Sequence, residues 1–363
     1  MRLTDCVELL PRSGPTAPRA ASTVIAKDTV PYVEFLAFEP RGSLLVIEAP
    51  NHARETGRLR RRSATHFEIE AELMGVRGPG VLSPSGRWLL TGGALLAGEA
   101  ACCQVIDLNT FQVAHTLPVM RPFAWMDDED FIAQSPNWKT ALRDGGVAQA
   151  ETRRVDPAIA AAAPALLTPE PSMVRVALAT LRCQSLLPTR LLDEERCAVL
   201  SPDRSVLYTA TSFARISAVR IADGTLLWQR APSRLVTEGT VVAMALDPTS
   251  NRLLTVGGGV SHDMLVLDAA SGTELSRHSL GTLARGITGG TSTRGDAIRF
   301  RQDGLGIIGT SNGLIIELGR DGRWCAYKAG GRSLRAIAFS ADGASLIVGG
   351  AEKNLRAIAL PQV

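Results

Sequence analysis

The sequence predicts an all-β fold, a seven-bladed β-propeller of four-stranded antiparallel blades closed by an N-terminal strand that joins the last, C-terminal blade. Three observations predict it. One stretch reads as four short strands, related stretches return about every 40–50 residues, and the first strand of each copy shares an alternation of bulky and small residues. A unit of this kind cannot bury its own apolar faces, so copies must pack on one another.

The clearest unit runs from Ala198 to Gln229. Ala198, Val199 and Leu200 end a first strand, and Ser201-Pro202-Asp203-Arg204 is a turn, because proline presets φ and aspartate bonds the nearby backbone. Val206 to Thr209, rich in β-branched and aromatic residues, is a second strand. Arg215 to Ile221 is a third, and Ala222-Asp223-Gly224 turns the chain into a fourth, Thr225 to Gln229.

Aligned on the residue that ends each first strand, the copies are anchored at Phe38, Leu82, Trp125, Leu200, Leu246, Phe300 and Phe339. The step from Trp125 to Leu200 is longer than the rest. Residues 151–172 are rich in Ala and Pro without strand periodicity, so 137–172 is read as a loop insertion in the third blade. Val174 to Leu181 and Gln184 to Leu187 then supply that blade's outer strands; an eighth blade would need strands within Asn137–Ala150.

Two positions before the anchors lie Leu36, Gly80, Phe123, Ala198, Met244, Ile298 and Ile337. One position before lie Ala37, Val81, Ala124, Val199, Ala245, Arg299 and Ala338. With a period of two, one face of each blade is mostly bulky and the other mostly small, as stacking around an axis requires. Arg299 breaks the pattern, and its position points it toward the channel.

Several third strands run from apolar alternation into a polar turn, as in Gln104–Val113, Leu265–Leu275 and Ile315–Trp324. Ser83-Pro84-Ser85-Gly86, Ser201-Pro202-Asp203 and Ser340-Ala341-Asp342-Gly343 form the first turn, while Asp107, Asp268 and Ser271-Gly272 mark the second. In these motifs residues 30–360 resemble the WD-repeat β-propellers. Ile106-Asp107 and Leu267-Asp268 stand where such repeats have Trp-Asp, and no Gly-His pair opens a blade. The resemblance implies a non-enzymatic interaction platform.

The last blade has its third strand at Asn354–Leu360, so its edge needs an added strand. Arg2–Leu10 and Ser22–Val30 both qualify within a closing segment 1–30, and STVIA at Ser22–Ala26 is the better strand former. The whole chain, 1–363, closing segment included, is read as a single domain.

Connections between first and second strands, and between third and fourth, are short throughout. The spare length falls at Pro50–Gly57, Gly92–Ala100, Asn137–Ser172 and Gly281–Asp296. In antiparallel blades these connections all leave one face of the ring, and insertions gathered on one face mark a binding face or drift where nothing constrains them.

The chain is 45% hydrophobic, enough for a full core, and its formal charge of +3 is far from the basic excess of a general nucleic-acid binder. Four lysines beside many arginines, with abundant alanine, suggest a GC-rich bacterial genome. The N-terminus has no apolar signal segment and no stretch nears the roughly 18 apolar residues of a membrane span. The expectation is a cytoplasmic chain with its six cysteines reduced.

No catalytic grouping is visible among the five histidines, and no metal, cofactor or small molecule is predicted. Gly304–Gly309 matches GxGxxG but leads into a strand rather than a helix, and Gly257-Gly258-Gly259 lacks the Lys-Ser/Thr of a phosphate loop. Asp127 to Asp130 reads as a soluble acidic turn, without the spaced oxygen ligands of a calcium loop. Candidate partner-binding residues are Arg58, Arg60, Arg61, Arg62, Trp138, Arg153, Arg154, Arg285 and Arg294. Arg299, Glu238 and Asp296 lie near first-strand starts and are the candidates for an axial site.

The functional expectation is a protein–protein interaction scaffold within a multi-subunit assembly. The alternatives are a propeller hydrolase or lactonase with an axial site, and an anionic or nucleic-acid contact through Arg58–Arg62, which salt would weaken steeply.

Overall fold

The computed structural model describes residues 6–7, 23–30, 32–49, 57–92, 103–117, 121–134, 173–186, 195–211, 215–230, 240–258, 263–281, 293–329, 332–351 and 354–360. Two N-terminal strands, β1 (Cys6–Val7) and β2 (Thr23–Thr29), precede seven antiparallel sheets. Blade 1 is β3 (Tyr32–Phe38), β4 (Leu44–Ala49), β5 (Gly57–Arg62) and β6 (Ile69–Val76). Blade 2 is β7 (Gly80–Leu82), β8 (Trp88–Gly92), β9 (Cys103–Asp107) and β10 (Gln112–Leu117).

Blade 3 is β11 (Arg121–Trp125), β12 (Asp130–Gln134), β13 (Met173–Ala177) and β14 (Arg182–Ser185). The long step in the repeat is therefore a connection, 135–172, between two paired strands of one blade. Blade 4 is β15 (Glu195–Leu200), β16 (Val206–Thr211), β17 (Ile216–Arg220) and β18 (Leu226–Arg230). Blade 5 is β19 (Thr240–Leu246), β20 (Arg252–Gly258), β21 (Asp263–Asp268) and β22 (Glu274–Ser279).

Blade 6 is β23 (Gly295–Phe300), β24 (Gly306–Thr310), β25 (Leu314–Leu318) and β26 (Trp324–Lys328). Blade 7 is β27 (Leu334–Phe339), β28 (Ser345–Gly350) and β29 (Asn354–Ala359), and its outer strand is β2, antiparallel to β29 with Lys27 opposite Arg356. First strands neighbour one another in the order β3, β7, β11, β15, β19, β23, β27 and back to β3, so the ring closes. Both N-terminal stretches named from the sequence are used, on different blades: β1 adds a fifth strand to blade 6 beside β26.

The repeated motifs are repeated hydrogen bonds. The Oγ of Ser83, Ser201 and Ser340 accepts the backbone N–H of Trp88, Val206 and Ser345, closing the turn after the first strand. Two residues past each serine, Ser85, Asp203 and Asp342 accept the N–H of Arg87, Ser205 and Ala344; Asp303 does the same for Leu305. After the third strand, Asp107 and Asp268 accept the N–H of Asn109 and Ser271. These local bonds select Ser and Asp at the turns.

The core lies between blades. Leu36 and Phe38 of blade 1 pack on Ala336 and Ala338 of blade 7. Ile298 and Phe300 of blade 6 pack on Ala243 and Ala245 of blade 5. Bulky faces thus meet small ones, as the alternation predicts. Two tryptophans also bond across: Trp125 Nε1 donates to Val81 O and Trp228 Nε1 to Ala269 O, both at 2.9 Å.

Candidate functional site

Strand polarity gives the ring two unlike faces. One carries the tight turns just described. On the other, 50–56, 93–102, 135–172 and 259–262 join second strands to third, and 187–194, 231–239 and 282–292 join blade to blade. Trp138, Arg153, Arg154, Glu238 and Arg285 lie outside the described residues.

At the long-connection end, every first strand except β7 carries a β-bulge. The extra residue is Glu34 in β3, Phe123 in β11, Arg196 in β15, Val242 in β19, Asp296 in β23 and Arg335 in β27. A bulge re-aims one side chain without moving the rest of the strand. Here it sets Glu34, Asp296 and Arg335 at matching positions on three consecutive blades around the channel mouth.

These groups stitch the mouth together. Arg294 Nε donates to Asp296 Oδ1 at 2.7 Å, and Ser333 Oγ bonds the other Asp296 oxygen. Arg335 Nε donates to Ser333 Oγ at 3.3 Å and its guanidinium lies over the Tyr32 ring, 5.1 Å from the centroid. Glu34 Oε2 accepts Gly78 N–H at 2.9 Å, linking blade 1 to blade 2. Burial pushes the Tyr32 phenol up to about 12, with Glu34 and Asp296 adding to the rise and Arg335 and Arg294 opposing it. Arg294, named from the sequence, is thus one member of a charge-balanced cluster.

The Arg58–Arg62 run lies along β5, whose register puts Arg58, Arg60 and Arg62 on one blade face and Arg61 on the other. The first three converge on Glu48, whose side chain is fully buried. Arg60 also pairs with Glu72 at 2.6 Å. Arg61 binds both oxygens of Glu39, donates to Leu108 O in blade 2 and stacks over Phe111. The arginines of the run therefore form ion pairs within blade 1. The acidic turn is engaged in the same way: Asp127 Oδ1 accepts two backbone N–H groups and Asp130 pairs with Arg175.

Deeper on the axis is a cavity of about 380 Å³, walled by Phe35, Leu36, Phe38, Val81, Phe123 and Phe339 with Arg299. Arg299 replaces the Ala or Val of its counterparts on the small face of blade 6, toward Ile337 and Phe339. Among the described residues its side-chain bond is from Nη1 to the carbonyl of adjacent Ile298, 2.9 Å. Its side chain is exposed where it opens on the channel.

Among the described residues no three His, Cys, Asp or Glu side chains come together as a metal site needs, and no helix is long and apolar enough to cross a membrane. The bulges and the Glu48 cluster were not expected from sequence. The departure of Arg299 from its repeat position was the one readable signal of the axial cavity. No protein-family model matches this chain, and no curated protein matches it.

Proposed function

We propose that the protein is a non-enzymatic interaction platform, a subunit of a larger assembly that receives a partner protein on the face of the long connections. The observation that carries this reading is the division of length between the faces. One side is reduced to tight turns whose serines and aspartates are bonded to their own backbone, while the other carries the connections 50–56, 93–102, 135–172 and 282–292. Elaboration of one face of a repeat scaffold is the usual arrangement of a binding surface.

The repeat is a divergent WD-type unit on this reading. Its support is the paired turn chemistry, serine with aspartate after the first strand and aspartate after the third.

Affinity purification from the source cell, with the full chain and with a chain lacking 137–172, tests the proposal. The partner is expected with the first and lost with the second, while both keep the same β circular dichroism. A partner retained by the shortened chain contradicts the assignment of the face.

A further inference from the structure

We propose that blades 3 and 4 enclose a buried water site at the root of the longest connection, bonded by the side chains of Gln134 and Thr209. The proposal stands apart from the partner reading.

The strand register places the two residues. Ile132 of β12 and Leu207 of β16 pack in one cluster with Met173, Val219 and Ile221, the core between blades 3 and 4. Gln134 lies two residues past Ile132, opposite Met173, while Thr209 lies two past Leu207, opposite Ser217. Neither pair of strands has a bulge over this span, so a period of two keeps Gln134 on the face of Ile132 and Thr209 on the face of Leu207. Both second strands run toward the long-connection end. The two side chains therefore form the next layer of facing blades, just where 135–172 leaves β12.

That layer is polar and closed to solvent. Gln134 and Thr209 are each 1% exposed, and Thr211 and Ser217, on the same face of blade 4, are 2% exposed. Neutral polar side chains elsewhere in the ring bond one another. Thr91 Oγ1 donates to Gln104 Oε1 in blade 2, Gln229 Nε2 to Ser217 Oγ at 3.2 Å in blade 4, and Thr310 Oγ1 to Asn312 Oδ1 at 2.7 Å in blade 6. Gln134 and Thr209 differ: both amide atoms of the one and the hydroxyl of the other have no hydrogen-bond partner among the described residues. Buried amides and hydroxyls are almost always bonded, to protein or to ordered water.

The donor set names the ligand. An amide offers two N–H donors and an acceptor oxygen, and a hydroxyl offers a donor and an acceptor. Neither carries a charge, and the guanidinium on the same face of blade 3, that of Arg175, is already paired with Asp130. An ion would find no counter-charge in these two groups. Water donates and accepts at once, is small enough for so closed a layer, and is held where several polar groups converge.

Two measurements test the assignment. A crystal structure of the full chain is expected to show ordered water within hydrogen-bond reach of both the Gln134 amide and Thr209 Oγ1. A direct bond between the two residues, another protein group on the amide, or no density beside them overturns the proposal. Magnetic relaxation dispersion of the water signal counts long-lived water in solution. The double variant Gln134→Met, Thr209→Val is expected to hold at least one such molecule fewer than the parent. An unchanged count overturns the proposal, because a packing role alone would alter stability and leave the count as it is. Should the variant not fold, the crystal structure of the unaltered chain decides alone.

Discussion

Glu48 Oε1 accepts a hydrogen bond from Arg62 Nη2 at 2.8 Å, where the two side chains keep 0% and 3% of their surface exposed. The other carboxylate oxygen takes Arg60 Nη1 at 2.9 Å and Arg58 Nε at 3.1 Å, while Arg62 Nη1 reaches Phe67 O at 2.7 Å. One buried carboxylate thus holds three guanidiniums on one face of blade 1, with Glu72 at its edge.

Removing that carboxylate leaves like charges buried together. Glu48→Gln is expected to destabilise the chain by about 3–5 kcal/mol, the usual cost of breaking a buried pair from one side. The shift in urea midpoint at constant slope measures it. A loss below about 1 kcal/mol would place the cluster with ordinary surface pairs.

Gly272, in the turn after β21, has φ +70°, and an added Cβ would lie 2.6 Å from the Trp228 ring. That ring is held by its bond to Ala269 O and cannot easily retreat. Gly272→Ala combines left-handed strain with this collision, for an expected loss of about 2 kcal/mol or more in thermal or chemical unfolding. A neutral result would mean that the contact between blades 4 and 5 is loose.

The Asp247 carboxyl lies at about 2 rather than the ordinary 3.8. Burial pushes it up, but hydrogen bonds from Ser250, Thr249 and Arg252 outweigh that. Because the folded value is the lower one, the stabilisation is complete above about pH 4 and is lost as pH falls toward about 2. Asp247→Asn is expected to be less stable near neutrality and to lose less on acidification through this window. Urea midpoints across that range measure it, and two parallel acid limbs would contradict the assignment.

Deleting residues 1–30 removes the outer strand of blade 7 and bares the edge of Asn354–Ala359. The expected outcome is concentration-dependent association and loss of a single sharp unfolding transition. Light scattering with calorimetry reads both; a monomer that melts as the full chain does would show that β2 is dispensable.

The fold was legible because its signals are local. The Ser201 and Asp203 bonds span a few residues, so the same letters recur wherever the same turn forms. Apolar alternation told which face of each first strand meets which neighbour, and the exception at Arg299 marked the axis. The bulges at Glu34, Asp296 and Arg335 depend on register against a second strand, which no single strand encodes. Likewise Glu48 ends an ordinary apolar strand in the sequence, and its partners on β5 become visible only through pairing. The added strand β1 depends on β26, far along the chain.

Site-specific photo-crosslinking in the source cell distinguishes the two faces of the ring as partner surfaces. Crosslinkers at Arg215, Asn312 and Arg332 lie at the long-connection end, and others at Arg204, Asp223 and Asp321 lie on the tight turns. One common protein adduct is expected from the first three and none from the second. Adducts from the tight-turn positions alone, or equally from both sets, would contradict it.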